Sequence, residues 1–331
     1  MQKFLAERQD DLAARFSLRF CRTGRSWPRQ NINLAWQFQN PRFFEPDRGS
    51  WADAAAEIAS APETTAVLSS ELFSRFGEDS IAQVAEALRG FDTRILFYGR
   101  APADWLESSY AQSFRNLTPR DNAGCYLDFV RDPGARRPVA RILPVLDKWA
   151  GAFGEDAIIL RPFEVARTTP DGGLMADFAA QLGLRGIDFS DLPQQRNPRI
   201  GIKTMGLFHN FSRLLLKTGV PLDRKPRDAL RNAINRYGRK QGWNEESARF
   251  NTAETRAIIA ERYEPQVRAA FRKYAGQEIT LAGGPLQPDS IARQMPADQV
   301  GREDIDGCFR FIEEICTPEI VAAFRPLRDA L

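Results

Sequence analysis

The seventeen residues from Arg94 to Tyr110 constrain this chain more than any other stretch. The apolar run Ile95-Leu96-Phe97-Tyr98 is short and bounded by Gly99, the pattern of a buried strand, and Pro102 stands where a first helical residue belongs, since its missing N–H has no helical partner there anyway. In a helix starting at Pro102, Leu106, Tyr110, Phe114 and Leu117 share one side, while Asp104, Ser108, Gln112 and Arg115 share the opposite one. The segment is a strand, a tight turn and a helix. Arg100 falls at the carboxyl end of the strand, where open α/β sheets take ligands, and Ser108 follows roughly 9 Å along the helix axis from Pro102.

The same alternation runs through the first half of the chain. Short strands are expected at Ser17 to Cys21, Thr64 to Leu68 and Ala157 to Leu160. Helices are expected over residues 1 to 15, Glu78 to Leu88, Pro138 to Phe153 and Asp171 to Leu182, the last closed by Gly183. Trp27 to Arg48, with three prolines and many amides, reads as loop. Strands alternating with helices predict an α/β fold with a parallel sheet flanked by helices. Beyond Pro198 the pattern becomes helical, at about 201 to 217, 226 to 238, 253 to 275, 302 to 315 and 318 to 329, with Ala282-Gly283-Gly284-Pro285 as the break. The expected division is an α/β core over 1–195 and a helical portion over 196–331.

Composition removes several alternatives. A chain of 331 residues that is 43% hydrophobic buries a core without disulfide support. A net charge of +3 is too balanced to argue for nucleic acid as a partner. Cysteines 21, 125, 308 and 316 show no metal-ligand spacing, and His209, the one histidine, sits among Leu207, Phe208 and Phe211 as a packed side chain would. A reduced, cytoplasmic protein without zinc or Ser-His-Asp chemistry follows. No run approaches the 18 or so apolar residues of a membrane span. Arginine outnumbers lysine thirty-nine to seven, which suits bidentate recognition of phosphate or sulfate and equally suits a compositional bias.

Strand, arginine, seven residues, serine and then tyrosine resembles the 3′-phosphate-binding segment of PAPS-dependent sulfotransferases, in particular the bacterial sulfotransferase-like P-loop proteins. Arg100 and Ser108 match that family's phosphate-gripping pair. Other pieces follow in the family's order. Leu68-Ser69-Ser70-Glu71 is similar to the segment ending in the catalytic base. Trp149-Ala150-Gly151-Ala152-Phe153-Gly154 and then Ile158 to Glu164 resemble the next helix and strand. Asp177-Phe178 and Leu182-Gly183-Leu184 match the helix after it. Together they cover about residues 60 to 185. The resemblance implies that the parallel sheet is of P-loop type and that the core over 1–195 binds a nucleotide, with transfer of a sulfuryl group from PAPS to a hydroxyl of a carbohydrate or small acceptor, Arg100 and Ser108 binding the nucleotide, Glu71 as general base and no metal.

Each residue also has a structural reading: Arg100 as a strand-end arginine in an ion pair, Ser108 as a solvated helix position, and Glu71 as a first-turn glutamate behind an N-cap at Ser69 or Ser70. Arg161 and Glu164 read as a strand-end pair. The basic run Arg224, Lys225, Arg227, Arg231, Arg236, Arg239 and Lys240 reads as a solvated helix face or a track for an anionic acceptor or membrane headgroups. One part of the family pattern is missing. No Lys-Thr-Gly-Thr-Thr-like loop for the 5′-phosphosulfate occurs in the chain; the pattern Phe4, Leu5, Leu12 begins without a helix start signal, and Met1-Gln2-Lys3-Phe4-Leu5 resembles the helix just after that loop. The expectation is of an N-terminally incomplete core, inactive or marginal by itself, with a non-catalytic nucleotide-binding or interaction relative as the alternative.

Overall fold

The computed structural model describes residues 1–26, 30–62, 64–117, 124–132, 142–189, 200–281 and 283–331. In chain order the first half carries α1 (Gln2–Glu7), α2 (Gln9–Phe16), β1 (Leu18–Phe20), α3 (Ile32–Gln39), α4 (Trp51–Ala59), β2 (Thr65–Val67), α5 (Glu78–Ala87), β3 (Ile95–Gly99), α6 (Pro102–Arg115) and α7 (Tyr126–Arg131). The second half carries α8 (Ile142–Phe153), β4 (Ile158–Pro162), α9 (Phe163–Ala166), α10 (Leu174–Gln181), α11 (Ile202–Thr218), α12 (Arg224–Lys240), α13 (Ala253–Arg262), α14 (Glu264–Ala275), α15 (Asp289–Arg293), α16 (Arg302–Ile315) and α17 (Pro318–Asp329). Packing divides the chain into two units, one of Met1–Ala101, Ala135–Gln194 and Pro265–Leu281, the other of Pro102–Gly134, Gln195–Glu264 and Ala282–Leu331.

The first unit holds the strands. β1 and β2 are parallel, with Leu18 opposite Thr65 and Phe20 opposite Val67; β3 and β4 are parallel, with Ile95 opposite Ile158 and Gly99 opposite Pro162. The parallel sense is expected of strands joined through helices. The continuous sheet is not found: among the described residues the strands form two pairs with no ladder between them. Apolar packing rather than backbone bonding joins the pairs. Val67 of β2 and Leu96 and Tyr98 of β3 lie against one cluster built from Phe4, Leu5, Leu12, Leu18, Phe20 and Phe178. A second cluster collects Leu34, Trp51, Phe76, Val84, Leu146, Trp149, Leu160 and Phe271. The protein is a helix-rich member of the mixed α/β class.

Local differences from the sequence reading have local causes. The single helix over residues 1 to 15 is broken at Arg8, which leaves the helical region at φ −113° and ψ 17°. The helix expected from Asp171 begins only at Leu174, because Asp171, Gly172 and Gly173 all have positive φ. The stretch 253 to 275 is two helices, since Pro265 cannot donate a backbone N–H across the joint. Trp27 to Arg48 is not all loop: it contains α3. Its amides make tertiary bonds. Asn33 Nδ2 donates to Glu45 O at 2.9 Å and Gly49 O at 3.0 Å, and Gln39 Nε2 donates to Leu72 O at 2.9 Å.

The second unit is helical. The stripe expected on α6 is buried throughout, with Leu106, Tyr110, Phe114 and Leu117 each 3% exposed or less. Around Tyr110 stand Phe114, Tyr126, Phe129 and Phe250, with ring centroids 4.9, 5.3, 5.2 and 5.2 Å away. Such pairs add about 0.5–1.5 kcal/mol each beyond their buried area. Glu107, 2% exposed, is an unexpected buried carboxylate on this helix. It accepts the Phe250 N–H at 2.7 Å and Arg249 Nη1 at 3.2 Å, so its charge is matched and the extended 249–252 segment is pinned to α6.

Candidate functional site

Strand register determines what surrounds Arg100. Gly99 is the last residue of β3 and faces Pro162, the last residue of β4, so Arg100 and Phe163 leave the pair side by side. The Arg100 guanidinium lies 5.3 Å from the centre of the Phe163 ring. Its Nε is 4.0 Å from Glu164 Oε1, the outer limit of an ion pair, while that same oxygen accepts the Ala101 N–H at 3.1 Å. Gly99 is needed for space rather than for a positive φ. A Cβ there would come within 2.8 Å of the Phe271 ring, so the bare backbone lets Phe271 close over the strand end.

One residue earlier the register pairs Tyr98 with Arg161. Asp177 from α10, 4% exposed, accepts the Tyr98 hydroxyl at 2.8 Å and Arg161 Nε at 3.3 Å. The expected Arg161–Glu164 pair is therefore corrected: Arg161 pairs with Asp177, and Glu164 serves Arg100 and Ala101. Burial raises the Asp177 carboxyl, but the bonds from Arg161 and Tyr98 outweigh it and hold the group below the usual aspartate range. Burial, then the bond to Asp177, pushes the Tyr98 phenol well above its ordinary value. A stable carboxylate between a guanidinium and a phenol locks α10 to the strand pair.

Glu71 stands beyond the other pair. It opens a short 3₁₀ turn, Glu71–Arg75, and its side chain is exposed. Ser70 caps the turn by accepting the Leu72 N–H at 3.3 Å, which agrees with the capping reading of this segment. The end of β2 is held by Asn31, fully buried and taken as loop in the sequence reading. Asn31 Oδ1 accepts the Ser69 N–H at 2.9 Å, and its Nδ2 donates to Cys21 O at 3.0 Å and Thr23 O at 2.7 Å. One amide thus ties the exit of β1 to the exit of β2.

Arg100 and Glu71 both belong to the first unit, each just past a strand end, whereas Ser108 lies on α6 in the second. Ser108 is half-buried, one residue past the anchored Glu107. His209 is packed as expected, 4% exposed with its ring 5.0 Å from Phe114. On α12 the basic side chains are largely exposed, and Arg224 and Arg231 share the carboxylate of Asp228, at 3.9 and 2.9 Å. Among the described residues no cluster of three or more His, Cys, Asp or Glu has the form of a metal site. The triplet Asp304-Ile305-Asp306 lies in the first turns of α16, where Asp304 caps the Gly301 N–H at 3.0 Å. Among the described residues no helix is long and apolar enough to cross a membrane.

No protein-family model matches the chain, and no solved structure matches it. It is similar to an uncharacterized protein of Archaeoglobus fulgidus, 25% identical over 253 residues. The match covers 75% of this chain and 62% of that protein, so the chain spans about three-fifths of the length of the curated relative.

Proposed function

We propose that the chain is a PAPS-dependent sulfotransferase-like protein of P-loop type that binds a 3′-phosphoadenosine nucleotide through Arg100 and Ser108. The observation that carries this reading is the placement of Arg100 directly after a parallel-paired strand, its guanidinium oriented by Phe163 and Glu164. A pre-oriented guanidinium at such a strand end suits bidentate contact with a phosphate. In the full reaction the acceptor hydroxyl attacks sulfur in line, the bond from sulfur to the phosphate oxygen breaks, and Glu71 takes the hydroxyl proton. The products are a sulfate ester and PAP. The exposed, cap-associated position of Glu71 favours a second reading, a nucleotide-binding relative that does not turn over.

Titration with PAP and an assay of sulfuryl transfer separate these readings. Arg100→Ala is expected to weaken PAP binding by about 1.5–3 kcal/mol and Ser108→Ala by about 0.5–1.5 kcal/mol, the ranges for a charge-assisted and a neutral hydrogen bond. PAP binding without transfer selects the second reading. An undiminished affinity in a folded Arg100→Ala protein removes both.

A further inference from the structure

The second unit contains a groove of about 400 Å³ lined by α11, α16 and the last residues of the chain. The helical repeat puts Asn210, Arg213, Leu214 and Lys217 on one face of α11, since these positions are three and four residues apart. The opposite wall is the first turn of α16, with Arg302 and Ile305. Three cations border this space, and no carboxylate side chain is among the described residues that line it. Arg213 makes no hydrogen bond or ion pair among the described residues, and Lys217 donates to Ala330 O at 2.8 Å. Arg302 is matched loosely, 3.9 Å from Asp306 within its own helix. Asn210 Nδ2 donates to Gly206 O and to Ala297 O, both at 3.0 Å, which fixes the amide at the groove floor.

We propose that this groove binds a small organic anion, its phosphate, sulfate or carboxylate held by Arg213, Lys217 and Arg302 and its carbon body lying on Leu214 and Ile305. Two arginines and a lysine from two helices supply a forked set of donors that a single anionic group satisfies better than scattered waters do. The amino end of α16 adds the favourable end of a helix dipole on the same side. The volume and the mixed lining, cations beside aliphatic carbon, fit a small molecule rather than a bare ion. The site lies wholly within the second unit and does not depend on the nucleotide reading of Arg100.

Calorimetric titration of the whole chain with inorganic phosphate, and then with octyl phosphate, tests the assignment. Saturable binding of one phosphate per chain is expected, tighter for octyl phosphate. Arg213→Gln and Arg302→Gln should each weaken both by about tenfold or more, the loss of a charge-assisted bond. Leu214→Ala should reduce only the octyl advantage. Lys225→Gln and Arg239→Gln on α12 remove the same charge elsewhere and should leave affinity unchanged. Thermal melts of each exposed-residue variant verify folding. No saturable binding, or equal weakening by the α12 variants, overturns the proposal. So does phosphate binding that emerges only after Ala330 and Leu331 are deleted, because the chain itself would then be the occupant of the groove.

Discussion

The two strand pairs of the first unit end in opposite ways. Beyond β3 and β4 the exits are held by charge: Asp177 with Arg161 and Tyr98, and Glu164 beside Arg100. Beyond β1 and β2 they are held by one neutral amide, Asn31, bonded to the backbone of Cys21, Thr23 and Ser69. The two solutions differ in what they leave for chemistry. An amide whose donors and acceptor all meet backbone is a fastener and has nothing left to exchange with a ligand. Arg100 is a guanidinium, a planar fork of five N–H donors, set at the 4.0 Å limit of an ion pair with Glu164. The proposed nucleotide contact belongs to the charged end, and Glu71 follows the neutral one.

The largest effect is expected at the neutral end. Asn31→Ala removes three side-chain bonds and strands the Ser69 N–H and the Thr23 carbonyl, each costing about 1–3 kcal/mol when buried, while Cys21 O keeps the Arg25 Nε–H at 2.6 Å. A loss of about 3–4 kcal/mol in urea unfolding is expected, with the exits of β1 and β2 becoming the fastest-exchanging strand amides. A loss under 1 kcal/mol would mean that loop packing, not the amide, ties the pair.

Second comes the charged end. Asp177→Asn keeps an acceptor for Tyr98 but turns an N–H₂ or a neutral oxygen toward Arg161, for an expected cost of about 2 kcal/mol at pH 7; Arg161 is one-third exposed, which holds the figure below that of a fully buried pair. The pH sign is fixed by the lowered Asp177 carboxyl. A depressed folded value contributes stability that is fully present above the ordinary aspartate value near 4 and is lost as pH falls through the folded value. Wild type and Asp177→Asn should therefore differ most at neutral pH and converge in acid. Parallel curves from pH 7 to pH 2 would show that Asp177 acts through packing.

Third is Gly99→Ala, which tests whether the two ends differ in tolerance as well as in charge. The added methyl meets the Phe271 ring, and overpacking of that kind costs about 1–3 kcal/mol. Because Arg100 follows directly, PAP affinity should fall with stability in this variant. Stability lost with affinity intact would separate the guanidinium from the strand that carries it.

These cases also explain what could be read without a structure. The β3–α6 segment was legible because its signals are local: a short apolar run, a proline at the first helical position and a stripe at helical spacing, all of which the buried Leu106, Tyr110, Phe114 and Leu117 bear out. Parallel pairing was legible from strand and helix alternation, but the split into two pairs was not, since it rests on Val67, Leu96 and Tyr98 meeting over α1 and α2. Asn31 and Asn33 argued for loop because amides favour turns, and the reading failed where those amides bond to backbone far along the chain. Asp177 was legible as part of a helix but not as the partner of Arg161, which needs the register of β3 on β4 and the position of α10 at once. Glu107 had no signal beyond its place one residue off the polar side of α6. Ser108 and Glu71 were named by resemblance, and their geometry as helix and turn residues is what local pattern alone provides.

The smallest effect on stability is expected at Glu71, and there the comparison is sharpest. Glu71→Gln leaves the 3₁₀ turn, its Ser70 cap and the Asn31 fastening untouched, and the side chain is exposed, so the change should stay within about 0.5 kcal/mol, the usual bound for surface positions. If the residue is only a first-turn glutamate, nothing else should change. If it takes the acceptor proton, turnover in a preparation competent for transfer should fall by roughly 10²–10⁴-fold, because glutamine keeps the shape but has no basic oxygen, while PAP affinity, assigned to the other strand end, should hold. Stability, turnover and affinity are then three readouts with different expectations at one residue. Turnover lost together with stability would return Glu71 to a structural part. Turnover lost alone would assign chemistry to the end of β2 and leave nucleotide binding, as proposed, at the end of β3.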